Sequence, residues 1–175
     1  AEWLVAHKVD VLLYRGGISG KGPAHVFGEA GIDVHDVTGM ASFSQATEPP
    51  NIDILVVLVN NFIYAMTGGQ NAPTTPQGAR SSTMPFGNFE HPFNIPHLAA
   101  SCGATYVARW TCLHIRRLTR AFKEAINRKG FRMIEVIAPC STLYARLNKL
   151  GSGLNLMRFY HDNSVIKHGC DTREV

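Results

Sequence analysis

Residues 52–59, IDILVVLV, decide how this chain folds. β-Branched and leucine side chains follow one another there without alternating with polar ones. That is the pattern of a strand in a parallel sheet whose two faces are covered by helices. The uninterrupted apolar part, Ile54–Val59, is far too short to cross a bilayer. It stops at Asn60-Asn61, a polar pair at the carboxyl end of the strand.

Working outward, three more runs have strand character. They are Val9–Tyr14 (VDVLLY), closed by Gly16 and Gly17; Ala104–Ala108 (ATYVA); and Phe131–Ala138 (FRMIEVIA), which ends at Pro139-Cys140. Helices alternate with them. Asn94 is an N-cap candidate, Pro96 sits in the permitted first turn and Gly103 ends a short helix. A second helix is expected to start from Thr111 and stop at Gly130. Leu113, Leu118, Phe122 and Ile126 recur on one side of it, and Arg116, Arg117, Arg120 and Lys123 occupy the other. A last helix covers Leu154–Asp162. This order predicts an α/β fold, an open parallel sheet with helices on both faces, as a single domain over residues 1–175. Residues 15–51, rich in Gly, Ser, Thr and Pro, show no sustained helical period, and Thr67–Phe93 reads as a long loop of the kind that usually carries function.

Composition narrows the function classes. With 45% hydrophobic and 17% charged residues, the chain has the apolar content of a globular domain and not of a disordered tail. Seventeen Lys+Arg against thirteen Asp+Glu give a net charge of +4, well short of a nucleic-acid footprint. No stretch is long and apolar enough for a membrane, and the first residues lack the basic-then-apolar order of a signal peptide, so a cytoplasmic protein is expected. Cys102, Cys112, Cys140 and Cys170 form no C-x-x-C pair, which leaves free thiols as the default.

Ligands of open α/β sheets bind outside the carboxyl ends of the strands. Two such ends carry polar punctuation, Asn60-Asn61 and Pro139-Cys140. On spacing alone the Asn pair reads first as a plain turn, since Asn tolerates such backbone angles; the alternative is a hard-cation site, in which a carboxamide oxygen and a nearby backbone carbonyl bind Mg²⁺ or Ca²⁺ while phosphates supply the charge. Thr67-Gly68-Gly69 follows closely and offers a hydroxyl and backbone N–H groups suited to phosphate oxygens. Cys140, taken alone, reads as a buried structural thiol. His91, His97 and His114 do not pair at ligand spacing.

The stretch NNFIYAMTGGQNAPTTPQG resembles the β subunit of the 2-oxoacid:ferredoxin oxidoreductases. MPFGNFEHPFNIPHLAASCGATYVAR, GFRMIEVIAPCSTLYAR and NSVIKHG extend the resemblance to the C-terminus. It implies a thiamine diphosphate-binding fold and oxidative decarboxylation of a 2-oxoacid with coenzyme A and ferredoxin, 2-oxoglutarate being favoured over pyruvate by TGGQ followed by APTTP. It further implies an α subunit as partner. By the same resemblance Asn61 and the carbonyl of Ile63 hold Mg²⁺, Thr67 and Gly68 lie beside the cofactor diphosphate, and Cys140 is a ligand of a 4Fe–4S cluster. Arg116, Arg117, Arg120 and Lys123 are candidates for steering an acidic ferredoxin, a solvated helix face being the plainer reading.

The sequence also departs from that family. There is no Gly-Asp-Gly, the family motif whose Asp supplies the anionic metal ligand, and no early Cys-Pro-x-Cys. Asp33, within Gly31-Ile32-Asp33, stands at a comparable spacing from the Asn pair. Its neighbours nevertheless match an earlier family segment, with Thr38 for a His and Met40 for an Arg. The expectation is therefore a segment missing near residues 47–51. A non-catalytic assembly subunit that keeps the fold, and an enzyme whose remaining ligands come from elsewhere, are the alternatives.

Overall fold

The computed structural model of the chain describes the backbone of residues 11–14 and 33–36 and all of residues 53–175. The junction at 47–51 and the helix-poor reading of most of 15–51 lie outside the described residues. Among the described residues five strands form one sheet: β1 (Val11–Tyr14), β2 (Asp33–Asp36), β3 (Leu55–Asn60), β6 (Tyr106–Thr111) and β7 (Arg132–Ile137), in the spatial order β2-β1-β3-β7-β6. β4 (Ile63–Tyr64) and β5 (Gln70–Asn71) make a separate antiparallel pair. The described helices are α1 (Ile95–Ser101), α2 (Ile115–Ile126), α3 (Tyr144–Leu147) and α4 (Gly153–Asp162).

β1 runs parallel to β2 and to β3. The hydrogen bonds flanking the other strands extend the rule. Arg132 N–H donates to Ile54 O and Ala138 N–H to Asn60 O, so β7 and β3 advance together. Thr105 N–H donates to Phe131 O and Cys112 N–H to Ile137 O, and β6 and β7 advance likewise. The sheet is the parallel one expected, with helices between its strands.

Among β3, β6 and β7, the most buried strand is not the one the sequence singles out. Every residue of β7 is buried, whereas Val59 of β3 is 65% exposed and β6 is half-buried along most of its length. β7 lies between β3 and β6, so it is shielded along both edges, and its position tolerates Arg132 and Glu135 only because both are paired.

Two compact units share these elements. Ala1–Leu58, Ala99–Ala108 and Thr119–Ile134 make the first. Within it Phe131, Met133 and Ile134 are fully buried, and Ala121 and Ala125 form the buried centre of the apolar face of α2. Arg120 and Lys123 lie exposed on the opposite face of the helix, Arg120 pairing with Glu124 at i,i+4. The helix begins at Ile115 and not near Thr111, because Thr111 is the last residue of β6 and its hydroxyl is engaged by His114 Nδ1 at 2.8 Å.

At the foot of β3, Asp53 accepts from Lys129 Nζ and from Arg132, and these bonds hold its carboxyl below the ordinary carboxylate range. A depressed folded value means stability that is fully present above the unfolded pKa and is lost as pH falls through the folded one. Asp53 is 41% exposed, so solvent screening limits the effect to below about 1 kcal/mol. Asp53→Asn is expected to remove that part of the acid-side loss, seen as a shallower fall of the urea midpoint below pH 4.

The second unit, Val59–Leu98, Arg109–Leu118 and Glu135–Val175, holds the carboxyl ends of β3, β6 and β7 and the loops that follow them. Asn94 caps α1 as read, its Oδ1 accepting from His97 N–H at 3.2 Å. Ser152 caps α4 in a reciprocal box with Asn155, while Leu156 and Tyr160 anchor that helix in the core.

Candidate functional site

The chain turns sharply after β3, and the turn is built by side chains. Asn60 is buried and fully committed: Nδ2 donates to Glu135 Oε1 at 2.7 Å, and Oδ1 accepts from Phe62 N–H at 2.9 Å and from Thr74 Oγ1 at 2.8 Å. Phe62 consequently sits at φ +66, a left-handed backbone that costs a non-glycine residue about 1–3 kcal/mol. Its carbonyl is clamped from the other side by the Thr75 hydroxyl at 2.6 Å. Thr75 is wholly buried and also accepts from Ala72 N–H. Phe62 further packs on Tyr144, with ring centroids 5.5 Å apart.

The two asparagines thus divide their work. Asn60 is structural, whereas Asn61 is half-buried and among the described residues its side chain makes one long contact, Oδ1 accepting from Ile63 N–H at 3.3 Å. Ile63 O accepts from Ala65 N–H at 3.0 Å and keeps a second lone pair. Two neutral hard oxygens, a carboxamide and a backbone carbonyl two residues apart, suit Mg²⁺ when phosphate supplies the charge.

The Thr67-Gly68-Gly69 turn differs from the sequence reading. It closes the β4–β5 hairpin, with Gly68 at φ +116 and Gly69 at φ +87. Both glycine N–H groups face inward, Gly68 donating to Ala65 O and Gly69 to Tyr64 O, because the tight hairpin uses them to close itself. Thr67 is exposed and locked to Gln70 in a reciprocal pair, Oγ1 to Oε1 and Nε2 to the Thr67 carbonyl, each 2.6 Å. These groups are therefore spent locally, although Thr67 Oγ1 still has acceptor capacity.

The loop that follows is a folded object. Asn88, buried, donates to the carbonyls of Thr75 and Glu90 and accepts from Glu90 N–H, pinning residues 72–90 from the inside. Cys140 is buried with Ile63 and Tyr144, and its Sγ accepts from Tyr144 N–H at 3.5 Å. Among the described residues no group of three His, Cys, Asp or Glu side chains is placed to hold a metal, so Cys140 has no companion ligands there. Cys102, Cys112 and Cys170 are free thiols, that of Cys112 raised in pKa by burial. His97 Nδ1 rests on Thr172 Oγ1, His114 on Thr111, and His91 is exposed. Arg116 and Arg117 are solvent-exposed. Asp33 opens β2 opposite Val11, the first residue of β1, and so lies at the amino end of its strand, away from the end where parallel sheets bind ligands.

Sequence reasoning missed Glu135, Arg109, Thr74 and Thr75. One signal was present: a single acid inside the apolar run FRMIEVIA.

The family described as thiamine pyrophosphate enzyme, C-terminal TPP binding domain, matches residues 37–136. The 2-oxoglutarate synthase subunit KorB of Methanothermobacter thermautotrophicus is 44% identical over 115 residues, 66% of this chain and 40% of the relative. The subunit of that name from Archaeoglobus fulgidus is 50% identical over 92 residues, 53% of this chain and 34% of the relative. A solved 2-oxoglutarate:ferredoxin oxidoreductase from Magnetococcus marinus, with 2-oxoglutarate, coenzyme A and succinyl-CoA bound, superposes with a TM-score of 0.62 at 26% identity, covering 75% of this chain and 43% of the other. The chain spans about two fifths of the length of the first two 2-oxoglutarate synthase relatives it matches.

Proposed function

The chain belongs to the thiamine pyrophosphate enzyme family through its C-terminal TPP-binding domain, and from that membership we propose that it is part of the β subunit of a 2-oxoacid:ferredoxin oxidoreductase. The observation that carries this reading is the turn after β3, which presents Asn61 Oδ1 and the Ile63 carbonyl at the carboxyl end of a parallel strand. The relatives named as 2-oxoglutarate synthase subunits support 2-oxoglutarate over pyruvate as substrate.

When bound, thiamine diphosphate supplies the electron sink that lets a 2-oxoacid lose CO₂. The chain's own part is binding and orientation. Asn61 and Ile63 would offer oxygens to a Mg²⁺ accompanying the diphosphate, and Thr67 and Gly68 form the neighbouring turn. Asn61 and Ile63 are neutral, so at that site the charge balancing the ion would come chiefly from the diphosphate. Cys140 is proposed as one ligand of a 4Fe–4S cluster. The described residues supply no others. An α subunit, coenzyme A as acyl acceptor and ferredoxin as electron acceptor complete the reaction, in a cytoplasmic setting. No helix of the described residues is long and apolar enough to cross a membrane.

The test is an assay of the assembled oxidoreductase with 2-oxoglutarate or pyruvate, coenzyme A and a low-potential acceptor. CO₂ release and acceptor reduction are expected, faster with 2-oxoglutarate. No CO₂ from either substrate overturns the reading in favour of a non-catalytic assembly subunit.

A further inference from the structure

Three neighbouring strands contribute one polar side chain each to a row: Asn60 at the end of β3, Glu135 in β7 and Arg109 in β6. We propose that Glu135 is a positioning residue, whose carboxylate fixes the orientation of the Asn60 carboxamide and through it the Phe62 turn that carries Asn61 and Ile63. The proposal rests on the reading of those two residues as ligands, and deepens it.

Glu135 is 0% exposed, a placement a carboxylate tolerates only with its oxygens engaged. Both are. Oε2 accepts from Arg109 Nε at 2.6 Å and Oε1 from Asn60 Nδ2 at 2.7 Å. A carboxylate has no proton to offer, so it selects the NH₂ side of the carboxamide. Oδ1 must then point the other way, where it accepts from Phe62 N–H and from Thr74 Oγ1. A flipped carboxamide would set NH₂ against the Phe62 N–H and leave that N–H without an acceptor, whereas the Thr74 hydroxyl could turn to accept. Since that hydrogen bond bends the chain to φ +66, losing it releases the turn. Arg109 contributes by holding the carboxylate, and acts one step further back.

In Glu135→Gln, Arg109 claims the new carbonyl oxygen and the new NH₂ group faces Asn60 Nδ2, donor against donor, which favours the flip. Removing the competitor reverses the logic. In Glu135→Gln/Arg109→Met the glutamine oxygen is free to accept from Asn60, whereas Glu135→Ala/Arg109→Met offers no acceptor at all. Both double variants leave no buried charge behind, so their comparison isolates the acceptor from general stability.

The readout is amide hydrogen exchange of the full chain at Phe62, referenced to Ala138, whose N–H bonds to the Asn60 carbonyl in the sheet ladder. Glu135→Gln and Glu135→Ala/Arg109→Met are expected to speed Phe62 exchange about tenfold or more with Ala138 changed by less than about threefold. Glu135→Gln/Arg109→Met is expected to restore wild-type protection. Equal Phe62 exchange in the two double variants, or unchanged exchange in folded Glu135→Gln, overturns the proposal. Calorimetric titration of wild type with thiamine diphosphate and Mg²⁺ separates the outcomes: no binding there overturns the ligand reading of Asn61 and Ile63, whereas the exchange data decide the role of Glu135 by themselves.

Discussion

Glu135→Ala is expected to lower the unfolding free energy by about 3–5 kcal/mol, because removing one partner of a buried ion pair leaves the other charge unpaired. Arg109 would keep a guanidinium that is only 26% exposed and facing a cavity, and Asn60 would lose the acceptor for its NH₂ group. The large effect therefore reflects what is left behind more than what the pair contributes. A control follows from the same reasoning. Glu135→Met/Arg109→Met buries two apolar side chains of comparable volume and is expected to recover most of the loss, since replacing a whole buried pair is often neutral. Urea unfolding followed by circular dichroism reads both. A loss below about 1 kcal/mol in Glu135→Ala would mean that the pair behaves like a surface salt bridge, and the buried-network account would fail.

What the sequence made legible, and what it hid, divides along the range of the interactions. β3, β7 and the Asn94 cap of α1 could be read because apolar runs and caps are local properties, and Gly153–Asp162 falls within a residue of the expected helix. The turn after β3 was half legible. Asn60-Asn61 marked the place, but which of the two is structural depends on Glu135, 75 residues away in sequence, and on strand register that no local pattern encodes. Thr67-Gly68-Gly69 shows the opposite failure. The glycines were recognised, yet the same positive φ values that suit a phosphate cradle also suit a tight hairpin, and here the hairpin takes the N–H groups. The short α3 was missed because four residues carry too little periodicity, its position being set by Tyr144, which packs into the core with Cys140, and by the buried Ala145.

Asn61→Ala should separate binding from folding more cleanly than any other substitution at this site. Its side chain makes one 3.3 Å contact with Ile63 N–H and is half-buried, so removing it is expected to change stability by less than about 0.5 kcal/mol, as for surface positions outside a network. If Asn61 Oδ1 is a ligand of the Mg²⁺ that anchors the diphosphate, the same substitution removes a direct bond to the ion. The affinity for thiamine diphosphate in the presence of Mg²⁺ should then fall by at least about 100-fold, the upper end of what loss of an outer-shell partner costs. Asn60→Ala behaves in the reverse order. It breaks three hydrogen bonds of a buried carboxamide, so stability falls first and binding follows from the released turn. Isothermal titration at fixed Mg²⁺, paired with urea unfolding of each variant, resolves the two patterns. Binding by Asn61→Ala within about threefold of wild type would remove Asn61 from the ligand set, for a lost ligand cannot cost less than the outer-shell partners that merely orient it.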